Sequence, residues 1–356
     1  MKKKKILVWA LLISAAVILG GCTIRIGGNK AKVIDGGVWK SSDSGLTWIQ
    51  VADVPASGGK IASIANVNIR RLAFDPNDYE TIYLATEDNG LVYTNDGGAT
   101  WRQFKQFIGA KIRAIAVDPA DKCNLYVLLA NQLYKSTDCG RFWHNIYFHQ
   151  NPEVILTDLL IDYNNSSIVY LTTNAGEVLK SIDSGQTWVA TYRLKSGTFL
   201  DLVMDSKDSR LVYAASQKNG IYKTTDGGLT WASLGEGLKG YTGSQEYKKL
   251  IVDEATANSL ILVSKFGMLK SSDGGATWTV VELLPAAKKT TIYAVAVNPK
   301  NSDEIYYATR TTLVKSLDGG RTWSSQELPF SRSANQIIIN PQNPSVLYIG
   351  TFKLTE

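Results

Sequence analysis

Seven times along the chain a short apolar run ends in an acidic or amide residue, often with proline after it. The runs are Leu72-Ala73-Phe74-Asp75-Pro76, Ile115-Ala116-Val117-Asp118-Pro119, Leu159-Leu160-Ile161-Asp162, Leu202-Val203-Met204-Asp205, Leu250-Ile251-Val252-Asp253, Val295-Ala296-Val297-Asn298-Pro299 and Ile337-Ile338-Ile339-Asn340-Pro341. Continuous apolar runs bounded by turn residues predict strands buried on both faces. Each is followed by an aliphatic-tyrosine pair, as in Ile82-Tyr83, Leu125-Tyr126, Val169-Tyr170, Val212-Tyr213, Ile305-Tyr306 and Leu347-Tyr348, with Leu260-Ile261 as the exception. A third strand, such as Val38-Trp39-Lys40 or Ile221-Tyr222-Lys223, follows, and a fourth leaves the turn after it.

That turn carries the most regular signal in the chain, Ser/Thr-x-Asp-x-Gly-x-x-Trp. Its first copy is Ser41-Ser42-Asp43-Ser44-Gly45-Leu46-Thr47-Trp48, and six more end at Trp101, Trp143, Trp188, Trp231, Trp278 and Trp323. Their aspartates, Asp43, Asp96, Asp138, Asp183, Asp226, Asp273 and Asp318, recur every 42 to 53 residues, the period of a propeller-like repeat. The aspartate can accept hydrogen bonds from nearby backbone N–H groups, and the glycine supplies the positive φ of a hairpin turn. The tryptophan offers a large apolar body to a neighbouring sheet, with an indole N–H that needs a partner. Seven copies spread round a ring cannot converge on one site, so these residues are structural.

The first box has no strand pair before it, and the last strand pair, residues 336–351, has no box after it. If residues 335–354 supply the inner two strands of the blade whose outer two lie in residues 38–51, the halves complete each other. The prediction is an all-β fold: a seven-bladed β-propeller of four-stranded antiparallel blades over residues 36–356, closed by pairing N- and C-terminal strands. Closure removes the free edges of an open sheet.

The repeated box resembles the Asp-box, or BNR, repeat of sialidases, xyloglucanases, the sortilin ectodomain and the photosystem II assembly-factor propellers. The resemblance implies the fold, while the activities of those proteins are unrelated to one another.

Residues 2–5 are four lysines, residues 6–19 an apolar stretch short for a membrane span, and Leu19-Gly20-Gly21-Cys22 resembles a bacterial lipobox. Residues 1–21 are then a signal peptide, Cys22 the lipidated N-terminus, and residues 22–35 a tether, which sets the chain on the extracytoplasmic side of a bacterial membrane. Removing residues 1–21 takes the formal charge from +6 to +2, too small an excess to favour a nucleic-acid partner. Cys123 and Cys139 fall at the same end of adjacent strands; a disulfide between them and a pair of small buried thiols are both ordinary outcomes. The only histidines, His144 and His149, lie five residues apart after the third box, and no metal-ligand or phosphate-loop motif accompanies them. No metal or cofactor is expected.

Propellers bind on the face of their connecting loops, which vary on a rigid frame. Residues 52–68, 144–153 and 234–247 are the longest such connections and contribute Tyr147, Phe148, His149, Tyr241, Glu246 and Tyr247. Basic residues gather where the inner strands begin: Arg70, Arg71, Lys111, Arg113, Lys248, Lys249, Lys288, Lys289 and Arg332. They make either a local positive field or, neutralised by Asp158, Asp201 and nearby glutamates, a mixed polar rim. A lysine recurs on the third strand of six blades, as Lys40, Lys135, Lys180, Lys223, Lys270 and Lys315, which predicts a packing stem with a solvated head.

The sialidase-type Arg-Ile-Pro segment is missing, the blade count is seven rather than six, and the length suffices for one propeller module. Asp158 and Asp201 begin adjacent inner strands, and a structural charge pair is the simpler reading of them than a glycosidase pair. The arrangement resembles most the photosystem II assembly-factor group, which implies a membrane-tethered, non-enzymatic scaffold that binds a protein partner; a monomer is the default expectation. The alternative is a carbohydrate-active module that binds or cleaves a glycan.

Overall fold

The computed structural model describes residues 35–56, 59–284 and 291–354. Cys22, Lys288 and Lys289 lie outside the described residues. Seven four-stranded antiparallel sheets are present, and the described residues otherwise hold one 3-10 turn, Lys105–Phe107. No helix among the described residues is long and apolar enough to cross a membrane.

Blade 1 is assembled from both ends of the chain. Its inner strands are Ser333–Ile339 and Leu347–Phe352, its outer ones Val38–Ser41 and Ile49–Val51. The seam is a regular antiparallel ladder with Val38 opposite Gly350 and Ser41 opposite Leu347. The inner strands of blades 2 to 7 begin at Ile69, Ala114, Leu156, Phe199, Tyr247 and Ala294. Seven apolar clusters hold the blades together, and each draws on two adjacent blades. The cluster of Tyr306, Leu313 and Phe330 with Ile337 and Ile349, for example, spans blades 7 and 1.

Each box is a closed hydrogen-bond system. In the first, Asp43 Oδ1 accepts from Thr47 N at 2.8 Å and from Ser41 Oγ at 2.8 Å, Asp43 Oδ2 accepts from Thr47 Oγ1 at 2.6 Å, and Gly45 N donates to Ser41 Oγ at 2.8 Å. The seven box glycines have φ between +81° and +93°. At Gly275 a Cβ would also stand 2.5 Å from Leu234 Cδ1, so any side chain there meets both strain and a clash. The indole N–H is satisfied locally in four boxes: those of Trp48, Trp143, Trp188 and Trp278 donate 3.0 Å to the carbonyl of their own box glycine. Those of Trp101, Trp231 and Trp323 reach the blade before, on Val51 O, Thr191 Oγ1 and Glu282 O. Hydrogen bonds from the box threonine hold Asp43, Asp183 and Asp273 down at about 2. Their contribution is complete above the ordinary value of 3.8 and is lost as pH falls from there through about 2.

Three of the third-strand lysines correct the expectation of a solvated head, and a fourth, Lys315, pairs with Glu304 of its own blade at 2.8 Å. The Nζ of Lys40, Lys180 and Lys223 donates to Gly97 O, Gly227 O and Gly274 O of the next blade's box at 2.9, 2.7 and 3.1 Å. On the way it lies over Tyr348, Tyr170 and Tyr213 of its own blade, 5.4 to 5.6 Å from the ring centre. Tyr348 and Tyr170 donate to the same carbonyls, at 2.9 and 2.7 Å. A box carbonyl otherwise stranded in the turn receives two donors, and one blade is fastened to the next. Tyr306 of blade 7 reaches Ser44 O of blade 1 in the same way, at 3.3 Å.

One box is built differently. In the third, Phe142 stands where the other boxes have threonine, so Asp138 receives no hydroxyl from that position, and Tyr93 replaces the lysine of the preceding blade. This is the box that Cys123 and Cys139 join by a disulfide, beside the Cys139 N to Cys123 O hydrogen bond of 3.1 Å. The covalent link ties the turn of this box to the strand pair of its own blade.

Two outcomes are expected. Lys180→Met keeps the stem and removes the head, and should destabilise the fold by about 1–2 kcal/mol in urea denaturation; an unchanged midpoint would mean the latch contributes nothing. Reduction of Cys123–Cys139 should raise amide exchange across residues 136–143 several-fold while leaving residues 181–188 unchanged, and Phe142→Thr should recover part of the protection by restoring a hydroxyl to Asp138.

Candidate functional site at the channel mouth

The innermost strands of blades 1, 2, 4, 5 and 6 each slip register near their start, between Ala334 and Gln336, Ile69 and Arg71, Leu156 and Asp158, Phe199 and Asp201, and Tyr247 and Lys249. A bulge leaves one residue unpaired and re-aims its side chain. The five extra residues, Asn335, Arg70, Thr157, Leu200 and Lys248, all line one cavity of about 280 Å³ at the mouth of the central channel, together with Arg71, Arg113, Asp201, Tyr247 and Lys249. The bulges therefore give these blades two channel-directed positions in place of one.

Backbone groups near the bulges take side-chain partners from the ring. Leu72 N donates to Gln336 Oε1 at 2.8 Å, Leu202 N to Asp158 Oδ2 at 2.9 Å, and Leu250 N to Tyr247 Oη at 2.9 Å. The two aspartates are thereby fixed as structural acceptors as well as charges. Asp158 is 1% exposed and Asp201 6%, and the charge of Asp201 acts on Asp158. Arg71 pairs with Asp158, Lys249 lies 2.6 Å from Asp201 Oδ2, and the Tyr247 hydroxyl donates to the same oxygen at 2.5 Å. Burial pushes Asp158 up to about 6, with Arg71 opposing and the charge of Asp201 adding to the rise. Burial acts upward on Asp201 too, but Lys249 and Arg71 outweigh it and hold this carboxyl below its usual range. Burial and the neighbouring Asp201 charge raise the Tyr247 hydroxyl well above its ordinary value.

Around this neutral quartet the rim is unevenly paired. Glu87 bonds both Arg70 and Lys111; burial would raise its carboxyl, and the two cations bring it below the ordinary range. Among the described residues Arg113 and Lys248 make no ion pair. Burial lowers both; at Arg113 the like charge of Arg70 adds to the fall and the Glu87 carboxylate opposes it. The positive field and the mixed polar rim expected from the sequence thus coexist: the carboxylates are consumed, and positive charge is left over.

Arg70, Arg71, Arg113, Tyr247, Lys248 and Lys249 come together at the mouth, with Lys111 on its edge. Three other expected residues do not. Arg332 is tied to Asp35 at 3.2 Å and to Asn66 O at 3.0 Å, fastening residues 35 and 66 to the start of blade 1's innermost strand. Tyr241 lines a separate hollow with Lys218 and Glu246 and donates its hydroxyl to Trp278 O. Tyr147 packs against Trp188 at a tilt, ring centres 5.4 Å apart, in a side cavity between blades 3 and 4 shared with Phe148, His149, Glu177 and Arg193. There His149 Nε2 meets Glu177 at 3.2 Å. Among the described residues no group of three or more His, Cys, Asp or Glu is set to hold a metal.

Fold and boxes together define an Asp-box seven-bladed β-propeller. Residues 131–265, within blades 3 to 6, match the family model of sortilin and neurotensin receptor 3 (Sortilin-Vps10). No curated protein matches the chain significantly in sequence. Among solved structures, a GH74 enzyme of Niastella koreensis is 19% identical with a TM-score of 0.65 over 85% of this chain and 53% of its own. The GH74 xyloglucanase of Xanthomonas campestris is 16% identical with a TM-score of 0.64 over 84% and 52%. YCF48 with a bound D1 peptide is 17% identical with a TM-score of 0.62 over 80% and 93%. The likeness is one of fold, and the chain spans about half the length of these GH74 enzymes.

Removing Arg71 tests the quartet. Arg71→Met leaves two buried carboxylates beside one cation and should cost about 2–4 kcal/mol at pH 7.5, the lower part of the range for breaking a buried pair, because the arginine side chain is 28% exposed. In the wild type the folded chain holds a proton on Asp158 between 3.8 and about 6 that the unfolded chain has lost, so this group's contribution falls as pH rises through that window. The variant raises the folded value further. Its deficit against wild type should therefore shrink as pH is lowered toward 5, measured by urea denaturation; a pH-independent deficit would contradict the charge argument.

Proposed function

We propose that the chain is a non-enzymatic binding propeller, tethered through a lipid on Cys22 to the outer side of the cytoplasmic membrane, that engages an extended segment of a protein partner at the channel mouth. The observation that carries this reading is the surplus of cations at the mouth over carboxylates that are already paired. A concave basin of one sign favours an acidic segment and draws it in. The structural likeness to YCF48, whose length the chain nearly matches and which has been solved with a D1 peptide, supports a single propeller acting as a peptide binder.

Hydrolysis by the mouth carboxylates is disfavoured by geometry. A glycosidase keeps its two carboxyls roughly 5–10 Å apart and open to the bond being cut, whereas Asp158 and Asp201 are buried and already engaged by Arg71, Leu202 N, Tyr247 and Lys249. One observation does favour a glycan contact: the side cavity presents Tyr147, Phe148 and Trp188 beside Asn145, Gln150 and Arg193, aromatic faces next to polar tips.

The test combines capture with a glycan array. Full-length protein should retain a membrane protein from the native membrane, and Arg113→Glu with Lys248→Glu should abolish retention without lowering the melting temperature. Undiminished capture by that variant, or glycan binding lost on Trp188→Ala in place of protein capture, would overturn the reading. The tether is tested separately: Cys22→Ala should abolish labelling by an alkynyl fatty acid and move the protein to the aqueous phase of a detergent partition.

A further inference from the structure

Resting on the reading of the mouth as the binding face, we propose that the group recognised there is a single carboxylate on a peptide, flanked by an apolar side chain, and that its capture is coupled to proton uptake by the Asp158–Asp201 pair. Three features of the cavity lead to this.

First, the cations are not equivalent. Arg71 and Lys249 are spent on the aspartates, and Arg70 and Lys111 share Glu87. Arg113 and Lys248, from blades 3 and 6, line the same cavity and make no ion pair among the described residues, Glu87 acting on Arg113 by its charge only. Desolvated like charges facing one small basin are relieved by an anion, and a carboxylate accepts from both a guanidinium and an ammonium.

Second, the remaining wall is aliphatic. Leu200 is 38% exposed and lines the cavity with Ile292 and Ala294. The amides of Asn335 and Gln336 in the same wall are engaged with backbone carbonyls, of Ile69 and Arg70 for the first and of Leu72 for the second. Sugar hydroxyls would find few unspent polar groups and one partly exposed aromatic ring, Tyr293. An acidic residue beside a leucine-like one fits both walls.

Third, the floor can change charge. The groups facing Asp158 are Arg71 from blade 2, Asp201 from blade 5, and Tyr247 and Lys249 from blade 6. With both aspartates ionised the quartet of Arg71, Lys249 and two carboxylates is neutral; one proton makes it +1. An anion seated above favours the protonated floor, so binding raises the proton affinity of Asp158. Because that group already sits near 6, affinity should rise as pH falls toward 6 and level off below it. The ligand's own glutamate, at about 4.3, stays ionised over that range.

The experiment uses full-length protein in detergent and a capped heptapeptide with one glutamate between two leucines, its glutamine counterpart, and a galacturonate trisaccharide. Titration calorimetry at pH 7.5, 6.5 and 5.5 should show the glutamate peptide binding at least tenfold more tightly than the glutamine peptide, and three- to tenfold more tightly at pH 5.5 than at 7.5. Repeating pH 6.5 in two buffers of different ionisation heat should reveal fractional proton uptake by the protein. Arg113→Gln and Lys248→Gln should each weaken binding about tenfold. Asp158→Asn, which keeps an acceptor for Leu202 N, should flatten the pH dependence; if it fails to fold, the buffer comparison in wild type carries the test. Equal affinity for the glutamine peptide overturns the carboxylate assignment, tighter binding of the trisaccharide overturns the peptide, and absence of proton uptake overturns the coupling. If these fail while membrane capture still depends on Arg113 and Lys248, the binding face stands and only the carboxylate inference falls. If capture is also indifferent to them, the face itself is wrong.

Discussion

The structure depends on fastening each blade to the next, because a four-stranded blade alone buries one set of apolar residues and leaves the other exposed. Every apolar cluster straddles two blades, so no blade has a core of its own. Closure of blade 1, with Val38–Ser41 laid against Leu347–Phe352, turns that chain of dependencies into a ring in which each cluster has both halves. The lysine and tyrosine latches act at the outer side of the same joints. A backbone carbonyl in a box turn has no ladder to join, and a neighbour's donor is the least costly way to satisfy it. The box aspartate organises its own turn and the latch holds the finished turn against the next blade, so local and ring-level order reinforce one another.

The parts of this fold that could be read from the sequence are those whose partners lie close along the chain. A box needs a hydroxyl, a carboxylate, a glycine and an indole within eight residues, so each copy of the motif carries its own account of why it folds. Closure was legible too, because a missing strand pair at one end and a spare at the other leave one arrangement. The lysine heads were not: Lys40 finds Gly97 O 57 residues on, and nothing near Lys40 signals that carbonyl. Arg332 was misleading for the same reason. It stands among the basic residues before an inner strand, yet its partner Asp35 is 297 residues away. The disulfide lay between these cases, since Cys123 and Cys139 fall in one blade but only the structure closes the bond.

The bulges were illegible for a different cause. An inner strand buried on both faces reads as a continuous apolar run, and such a run contains no alternation whose phase could reveal an extra residue. The polar residues ahead of each run, Arg70-Arg71, Thr157-Asp158 and Lys248-Lys249, read in sequence as the start of an inner strand without showing which of each pair is extra. In the structure they follow the first strand residues, Ile69, Leu156 and Tyr247, one of each pair unpaired and turned to the channel. The basic cluster was therefore found by composition, while its division into spent and unspent cations depends on which residue of each pair the bulge displaces.

That division also explains why acidic residues belong in a basic mouth. Without Asp158 and Asp201, Arg71 and Lys249 would add two unpaired charges to Arg113 and Lys248 in a basin of about 280 Å³, and the inner ends of blades 2, 3 and 6 would repel one another. With them, the inner pair of cations is neutralised and serves as ring structure, since Asp158 also accepts from Leu202 N and Asp201 from Tyr247. The charge directed at solvent is then set by Arg113 and Lys248, with the one positive charge that Glu87 leaves on Arg70 and Lys111. A rigid frame can carry unspent charge at its mouth only where neighbouring charges are cancelled at short range, because self-repulsion in a partly desolvated basin grows with each unpaired cation. Pairing the inner cations and leaving two outer ones is a balance between keeping the ring shut and keeping its mouth attractive to an anion.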